Sequence, residues 1–212
     1  MPNKTFVALD KNPRIRIAVT KGHFTSKRIH FNRYLDIGEL KFNSRIAFDV
    51  AREIAVPYIN TTYVDAIVCM DRMEIVGAFL AQELTGTGMN VMNSEREIQI
   101  LTPIMTTDNK WIFPDNRRDL ISNKKILILL GSATDVRALA ALCECVKYYG
   151  GLIIGISSIF SSLPCGKCGG INSLFTADDI EGFVSYNADQ CAICKEGVPL
   201  DAFIYSEGYT LL

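Results

Sequence analysis

The stretch Lys124 to Gly150, KKILILLGSATDVRALAALCECVKYYG, narrows the folds open to this chain more than any other. Five consecutive apolar residues, Ile126 to Leu130, predict a strand buried on both faces. Val136, Leu139, Ala140, Cys143 and Val146 then recur at helical spacing. A strand, a short loop and a helix in that order make an α/β crossover unit. The loop Gly131, Ser132, Ala133, Thr134 and Asp135 ends at the helix N-terminus, where free N–H groups and the helix dipole favour an anion. Two readings fit it: a seat for a phosphate, or capping of the helix by Thr134 or Asp135.

A second unit precedes the first. Val64 to Met70 predicts a buried strand, and a helix runs from about Ile75 to Leu84, with Asp71, Arg72, Met73 and Glu74 between them. Asn90 to Asn93 reads as a further short strand, and Gly151 to Phe160 as another buried one that completes the core by about Ser161. Right-handed crossovers make such strands parallel and collect their loops along one edge of the sheet, where a ligand binds. Ahead of these units, Arg14 to Val19 alternates like a half-exposed strand and Lys21 to Phe24 breaks it. Ile29 to Ile37 reads as an edge strand packing Phe31, Tyr34 and Leu35, with His30 and Arg33 solvated. Asn43 or Ser44 caps a helix whose stripe is Ile46, Ala47, Val50, Ala51 and Ile54, ending before Pro57.

Residues 94–123 are weakly periodic, although Thr102 to Ile104 and Lys110 to Phe113 suit a hairpin. So long a connection is either a flap over the ligand edge, carrying Arg96, Lys110, Arg117 and Arg118, or a solvated excursion. The expected organisation is an α/β domain over residues 1–161 with the flap at 94–123, and a cysteine-rich appendage over 162–212.

With 22 basic and 23 acidic residues, the formal charge of −1 gives no overall drive towards nucleic acid or an acidic membrane. No run reaches the roughly 20 apolar residues that span a bilayer, so a cytoplasmic protein is expected. Four of the seven cysteines form two C-x-x-C pairs, Cys165 with Cys168 and Cys191 with Cys194, separated by 22 residues. Each pair sets two thiolates on one face, and four thiolates close a tetrahedron, which favours structural zinc in a zinc-ribbon-like appendage over free thiols or a disulfide pair. That segment sets Lys167 and Lys195 against Asp178, Asp179 and Glu181, a poor face for nucleic acid. Cys69, Cys143 and Cys145 read as small hydrophobes.

In order of parts the chain resembles the orotate phosphoribosyltransferases, of the type I phosphoribosyltransferase fold, from about Gly22 to Pro199. Gly22-His23-Phe24, then His30 through Tyr34 and Asp36, is similar to the family's G-H-F and H-S-x-x-Y-x-D segments, one residue shorter between them. Val64 to Val68 matches the strand before the pyrophosphate loop, and Cys191 to Leu200, CAICKEGVPL, is similar to a C-P-L-C-x-x-G-x-P tail of some members. The resemblance implies a mainly parallel sheet flanked by helices, a Mg²⁺-dependent transfer of ribose 5-phosphate from phosphoribosyl pyrophosphate (PRPP) to orotate in pyrimidine synthesis, and a homodimer in which one subunit's flap reaches the other's site. On that pattern Thr134 and the loop from Gly131 hold the 5-phosphate, Arg72 faces pyrophosphate, and Arg96 or Lys110 supplies the flap cation.

The phosphate loops depart from the pattern. The family's two acidic residues, which bind the ribose hydroxyls, fall on Leu130 and Gly131, and Thr134-Asp135-Val136 replaces Thr-Thr-Gly. Met73 and Glu74 stand where the pyrophosphate loop has two glycines, and a carboxylate there repels pyrophosphate. Two functions follow: an active transferase acting on orotate or a related base, or a protein of the same fold with lost or weakened transfer that binds a nucleotide or another phosphorylated ligand at the sheet edge.

Overall fold

The computed structural model describes residues 4–86, 91–108, 110–163 and 170–212. The chain opens with β1 (Thr5–Leu9), β2 (Asn12–Ser26) and β3 (Ile29–Asp36), followed by helices α1 (Gly38–Phe42) and α2 (Ser44–Ala55). Then come β4 (Ala66–Cys69), α3 (Glu74–Leu84), β5 (Gln99–Leu101), β6 (Ile104–Met105), β7 (Trp111–Ile112), β8 (Lys125–Ala133), α4 (Val136–Tyr148) and β9 (Leu152–Ser161). The rest holds β10 (Asn172–Thr176), β11 (Ser185–Asn187), the short α5 (Ala192–Lys195), β12 (Ala202–Tyr205) and β13 (Gly208–Leu211).

The predicted crossover units form the central layer, a five-stranded parallel sheet in the order β10-β9-β8-β4-β5. Successive side chains of a strand point to opposite faces, and the continuous apolar runs of β4 and β8 supply both. Ile67, Cys69, Leu127 and Leu129 pack with Ala47, Val50 and Ile54 of α2 and Val76 and Leu80 of α3. Ala66, Val68, Ile126, Ile128 and Leu130 pack with Leu139, Leu142 and Val146 of α4. Asn43 caps α2, its side chain accepting from Arg45 N and Ile46 N. No described helix is long and apolar enough to cross a membrane.

Chain order fixes where the layer opens. From β4 the chain moves outward to β5, returns to β8 on β4's other side, and moves outward again to β9 and β10. The loops after β4 and β8 therefore diverge, and such a switch point at the C-terminal ends of parallel strands is a crevice.

A second sheet, β11-β3-β2-β12-β13 with β1 also on β2, covers that crevice as a hood. β3 holds one edge of β2, while β1 and then β12 share the other. Lys21 to Phe24 does not end β2 as expected; the strand continues to Ser26 through a register shift between Lys21 and Phe24. Nor does β3 lie at an edge, since β11 pairs with it.

The core also runs past Ser161. Phe175 and Ile180 join the α2–α3 side, and residues 170–212 lend β10 to the parallel sheet and β11, β12 and β13 to the hood. Residues 91–93 form no strand; instead Asn93 is buried, accepting from Val64 N and donating to Thr62 O. The expected flap contains the β6–β7 hairpin and is anchored on α4, where Phe113 and Ile121 are buried and Tyr149 Oη donates to Phe113 O.

Candidate functional site: a hooded cavity at the switch point

Between crevice and hood lies a cavity of about 430 Å³. Its floor is Met70 and Asp71 after β4 with Leu130 and Ser132 to Asp135 at the end of β8. Its roof comes from the hood, including Phe31, Arg33, Tyr34, Phe203 and Tyr205. Trp111 of the flap hairpin closes one side. The lining is aromatic and apolar with a few charged groups, the usual character of a small-molecule site.

The loop predicted to seat a phosphate is differently built. Gly131, Ser132 and Ala133 continue β8, leaving only Thr134 and Asp135 between strand and helix. Asp71 Oδ2 accepts hydrogen bonds from Gly131 N at 3.2 Å and Ser132 N at 3.4 Å. A Cβ at Gly131 would stand 3.0 Å from the Asp71 Cβ, so glycine permits this approach. At the helix start, Asp135 Oδ1 accepts from Arg137 N at 2.8 Å and from Ala138 N at 3.4 Å. Of the two sequence readings of this loop, capping is the arrangement seen. Glu74, in the first turn of α3, puts a third carboxylate at the other helix start facing this end of the sheet.

Around Asp71 the backbone is held in an uncommon shape. Asp71 and Arg72 both have left-handed φ, 53° and 64°, which side chains other than glycine adopt at some strain. Lys41, 1% exposed, donates from Nζ to Asp71 O at 3.0 Å and to Ser206 O. Arg72 Nε lies 3.4 Å from Glu207 Oε1. These two cations pin the β12–β13 turn onto the β4–α3 turn. Burial pushes the Lys41 ammonium pKa below its usual range, opposed by Asp71, Glu207 and other acids. Burial raises the Asp71 carboxyl pKa, against the hydrogen bond from Ser132, the Lys41 charge and the bond from Gly131. Tyr34, set edge-on to Tyr209 at 5.0 Å, has its phenol pushed up to about 12 by burial and by the Asp36 charge.

The residues singled out from sequence do not all meet here. Ser132, Ala133, Thr134 and Asp135 line the cavity, with Gly131 beside them under Asp71. Arg72 adjoins it but is turned to Glu207. Lys110 is exposed next to the cavity-lining Trp111. Arg96 lies at the opposite end of the sheet, 3.6 Å from Asp65, just before β4, and over the Tyr63 ring. Sequence reading passed over Lys41, whose position on a short helix gives no signal, and over Asp71 as a ligand of the β8 N–H groups.

A second cluster lies within the hood. His23, His30, Cys191 and Cys194 bring one ligand atom each to within 4.8 Å of one another, and this group could hold a metal ion. His30 is 8% exposed rather than solvated as its place in β3 suggested. Cys165 and Cys168 lie outside the described residues.

No protein-family model matches the chain, and no curated protein matches it by sequence. Solved structures do match. The orotate phosphoribosyltransferase of Mycobacterium tuberculosis H37Rv, in complex with Fe(III) dicitrate, aligns with a TM-score of 0.53 at 13% identity, over 77% of this chain and 91% of that one. The UMP synthase of Leishmania donovani aligns with a TM-score of 0.53 at 15% identity over 76% of this chain, which spans only 34% of that enzyme. The adenine phosphoribosyltransferase of Leishmania tarentolae aligns with a TM-score of 0.50 at 12% identity, over 70% of this chain and 79% of that one. At such identities the likeness is one of architecture, and the chain has the type I phosphoribosyltransferase fold.

Proposed function

We propose that this chain is an orotate phosphoribosyltransferase-like protein with lost or weakened transfer from PRPP, which binds a nucleotide or another small phosphorylated ligand in the hooded cavity. One observation carries the reading: its own carboxylates occupy the backbone N–H groups at the end of β8 and the start of α4. A phosphate entering either position must displace a carboxyl group already accepting hydrogen bonds from those N–H groups. Leu130 supports the same conclusion, since an apolar side chain cannot bind ribose hydroxyls or stabilise charge developing at the anomeric carbon.

The cavity still suits a ring bearing an anion. Trp111, Phe203 and Tyr205, the more exposed rings of the lining, offer faces and edges for stacking. Lys27 supplies a cation whose charge also reaches Asp71, and Arg33, which donates to Asn32 O and Glu181 O, adds a second on the hood side. In this reading the chain pairs as a homodimer, zinc is its structural ion, and Mg²⁺ serves only whatever transfer remains. Lys110 is the better placed of the two proposed flap cations, Arg96 being at the far end of the sheet.

Calorimetric titration with PRPP, with and without Mg²⁺, followed by orotate turnover in the same buffer, tests the proposal. The expected result is orotate turnover absent or far below about 1 s⁻¹ and PRPP binding weak or absent, with UMP or AMP binding saturably and weakening about tenfold in Arg33→Ala. Saturable Mg²⁺-dependent PRPP binding with orotidine monophosphate formed at about 1 s⁻¹ or faster would overturn it in favour of an active transferase.

A further inference from the structure

Both of the chain's two histidines converge on its last C-x-x-C pair. His23 Nε2 is 3.2 Å from His30 Nδ1, 3.5 Å from Cys191 Sγ and 3.6 Å from Cys194 Sγ, and Cys194 Sγ is 3.3 Å from His30 Nδ1. Zinc binds imidazole nitrogen at about 2.0–2.1 Å and thiolate sulfur at about 2.3 Å in a tetrahedron. Those bond lengths at tetrahedral angles separate nitrogen from nitrogen by roughly 3.3 Å and sulfur from nitrogen by roughly 3.5 Å. Four of the six separations match this pattern within about 0.2–0.3 Å, comparable to the tolerance for a metal site. The other two, from Cys191 Sγ to Cys194 Sγ and to His30 Nδ1, lie within 4.8 Å, so that a small movement of Cys191 completes the tetrahedron.

The surroundings prepare the donors. His23 Nδ1 lies 3.0 Å from Val198 O and 3.2 Å from Pro199 O; carbonyls only accept, so Nδ1 carries the proton and Nε2 presents its lone pair to the cluster. The register shift in β2 falls at Gly22 and His23, and such a bulge re-aims a side chain. Gly22 makes room for it, because a Cβ there would stand 2.6 Å from Asp201 Oδ2, the acceptor of the His23 N–H. Cys191 is 1% exposed, and α5 carries the chain from it to Cys194 in less than one helical turn.

We propose that His23 Nε2, His30 Nδ1, Cys191 Sγ and Cys194 Sγ form a closed, structural zinc site that clasps residues 191–201 to β2 and β3. Four protein donors leave no position for substrate, so the ion has no Lewis-acid task here. This assignment is independent of the ligand-binding reading above. It replaces the expected four-thiolate set, since Cys191 and Cys194 find their complement in the two histidines and Cys165 and Cys168 are not required.

Metal analysis of protein purified without chelator, with X-ray absorption at the zinc edge, tests the site without a variant. The expected result is about one zinc per chain in a shell of two sulfur and two nitrogen donors. The double variant Cys165→Ser/Cys168→Ser retains that zinc, whereas His30→Ala loses it or binds at least tenfold more weakly. Should His30→Ala fail to fold, His30→Cys is read instead, its expected shell being three sulfurs and one nitrogen. A four-sulfur shell, loss of zinc from the double variant, or wild-type protein that neither carries zinc nor takes it up would overturn the proposal.

Discussion

Asp71 is where fold and chemistry meet. Its side chain does for Gly131 and Ser132 what a bound anion does elsewhere, so removing it should restore an anion seat. Asp71→Gly keeps the left-handed backbone without strain and frees both N–H groups. Hydrogen bonds to a charged acceptor contribute about 1.5–3 kcal/mol, so inorganic phosphate should bind roughly 10- to 100-fold more tightly to this variant in calorimetry at constant ionic strength. Asp71→Asn, which keeps an acceptor in place, should show no comparable gain. Equal phosphate affinity in the wild type and Asp71→Gly would mean that the N–H groups are not a latent site. Tyr34 gives a readout of the roof. Its phenol is pushed up to about 12, so between pH 10 and 12 the folded chain holds a proton that the unfolded chain releases. The stability it contributes is complete below pH 10 and is lost as pH rises through about 12, following the linkage of proton binding to folding. Tyrosinate absorbance should show late-titrating groups, since burial raises Tyr58 as well, and Tyr34→Phe should remove one of them.

At the scale of elements, stability resides in the parallel layer. Leu129, fully buried in β8 against the α2–α3 side, should lose about 2–5 kcal/mol on change to alanine, read from the urea midpoint. Asp135→Ala removes the α4 cap and should lose about 1 kcal/mol by the same measurement. These elements were the legible ones. Five apolar residues in a row within β8 and the helical spacing of α4 depend only on near neighbours, and both appear where expected. The hood was less legible because its pairings are distant. Nothing near Ala202 announces that it will lie beside Phe24, and nothing near His30 says that its neighbours will be cysteines. The clue available was compositional: the chain's two histidines both occur on the β2–β3 hairpin. The phosphate loop misled for a local reason. Gly131 signalled a turn, but its lack of a side chain serves the approach of Asp71 to a continuing strand.

For the whole molecule, the hood is the part that a metal should govern. Chelation should lower Tm and release amide exchange protection in β12, β13 and the second half of β2, while β4, β8 and β9 retain theirs. Uniform loss of protection would place the clasp inside the central cooperative unit instead. The pairing of β2 with β12 also sets an order of assembly. His23 and Cys191 are 168 residues apart, a gap that synthesis at about 5–20 residues per second crosses in roughly 8–34 s. For most of that interval the first strands have left the ribosome while their last partners do not yet exist. The nascent chain therefore spends its youth with the second half of β2 unpaired along one edge and its imidazoles uncommitted, a window in which a chaperone or a stray metal ion meets the roof before the protein has finished making it.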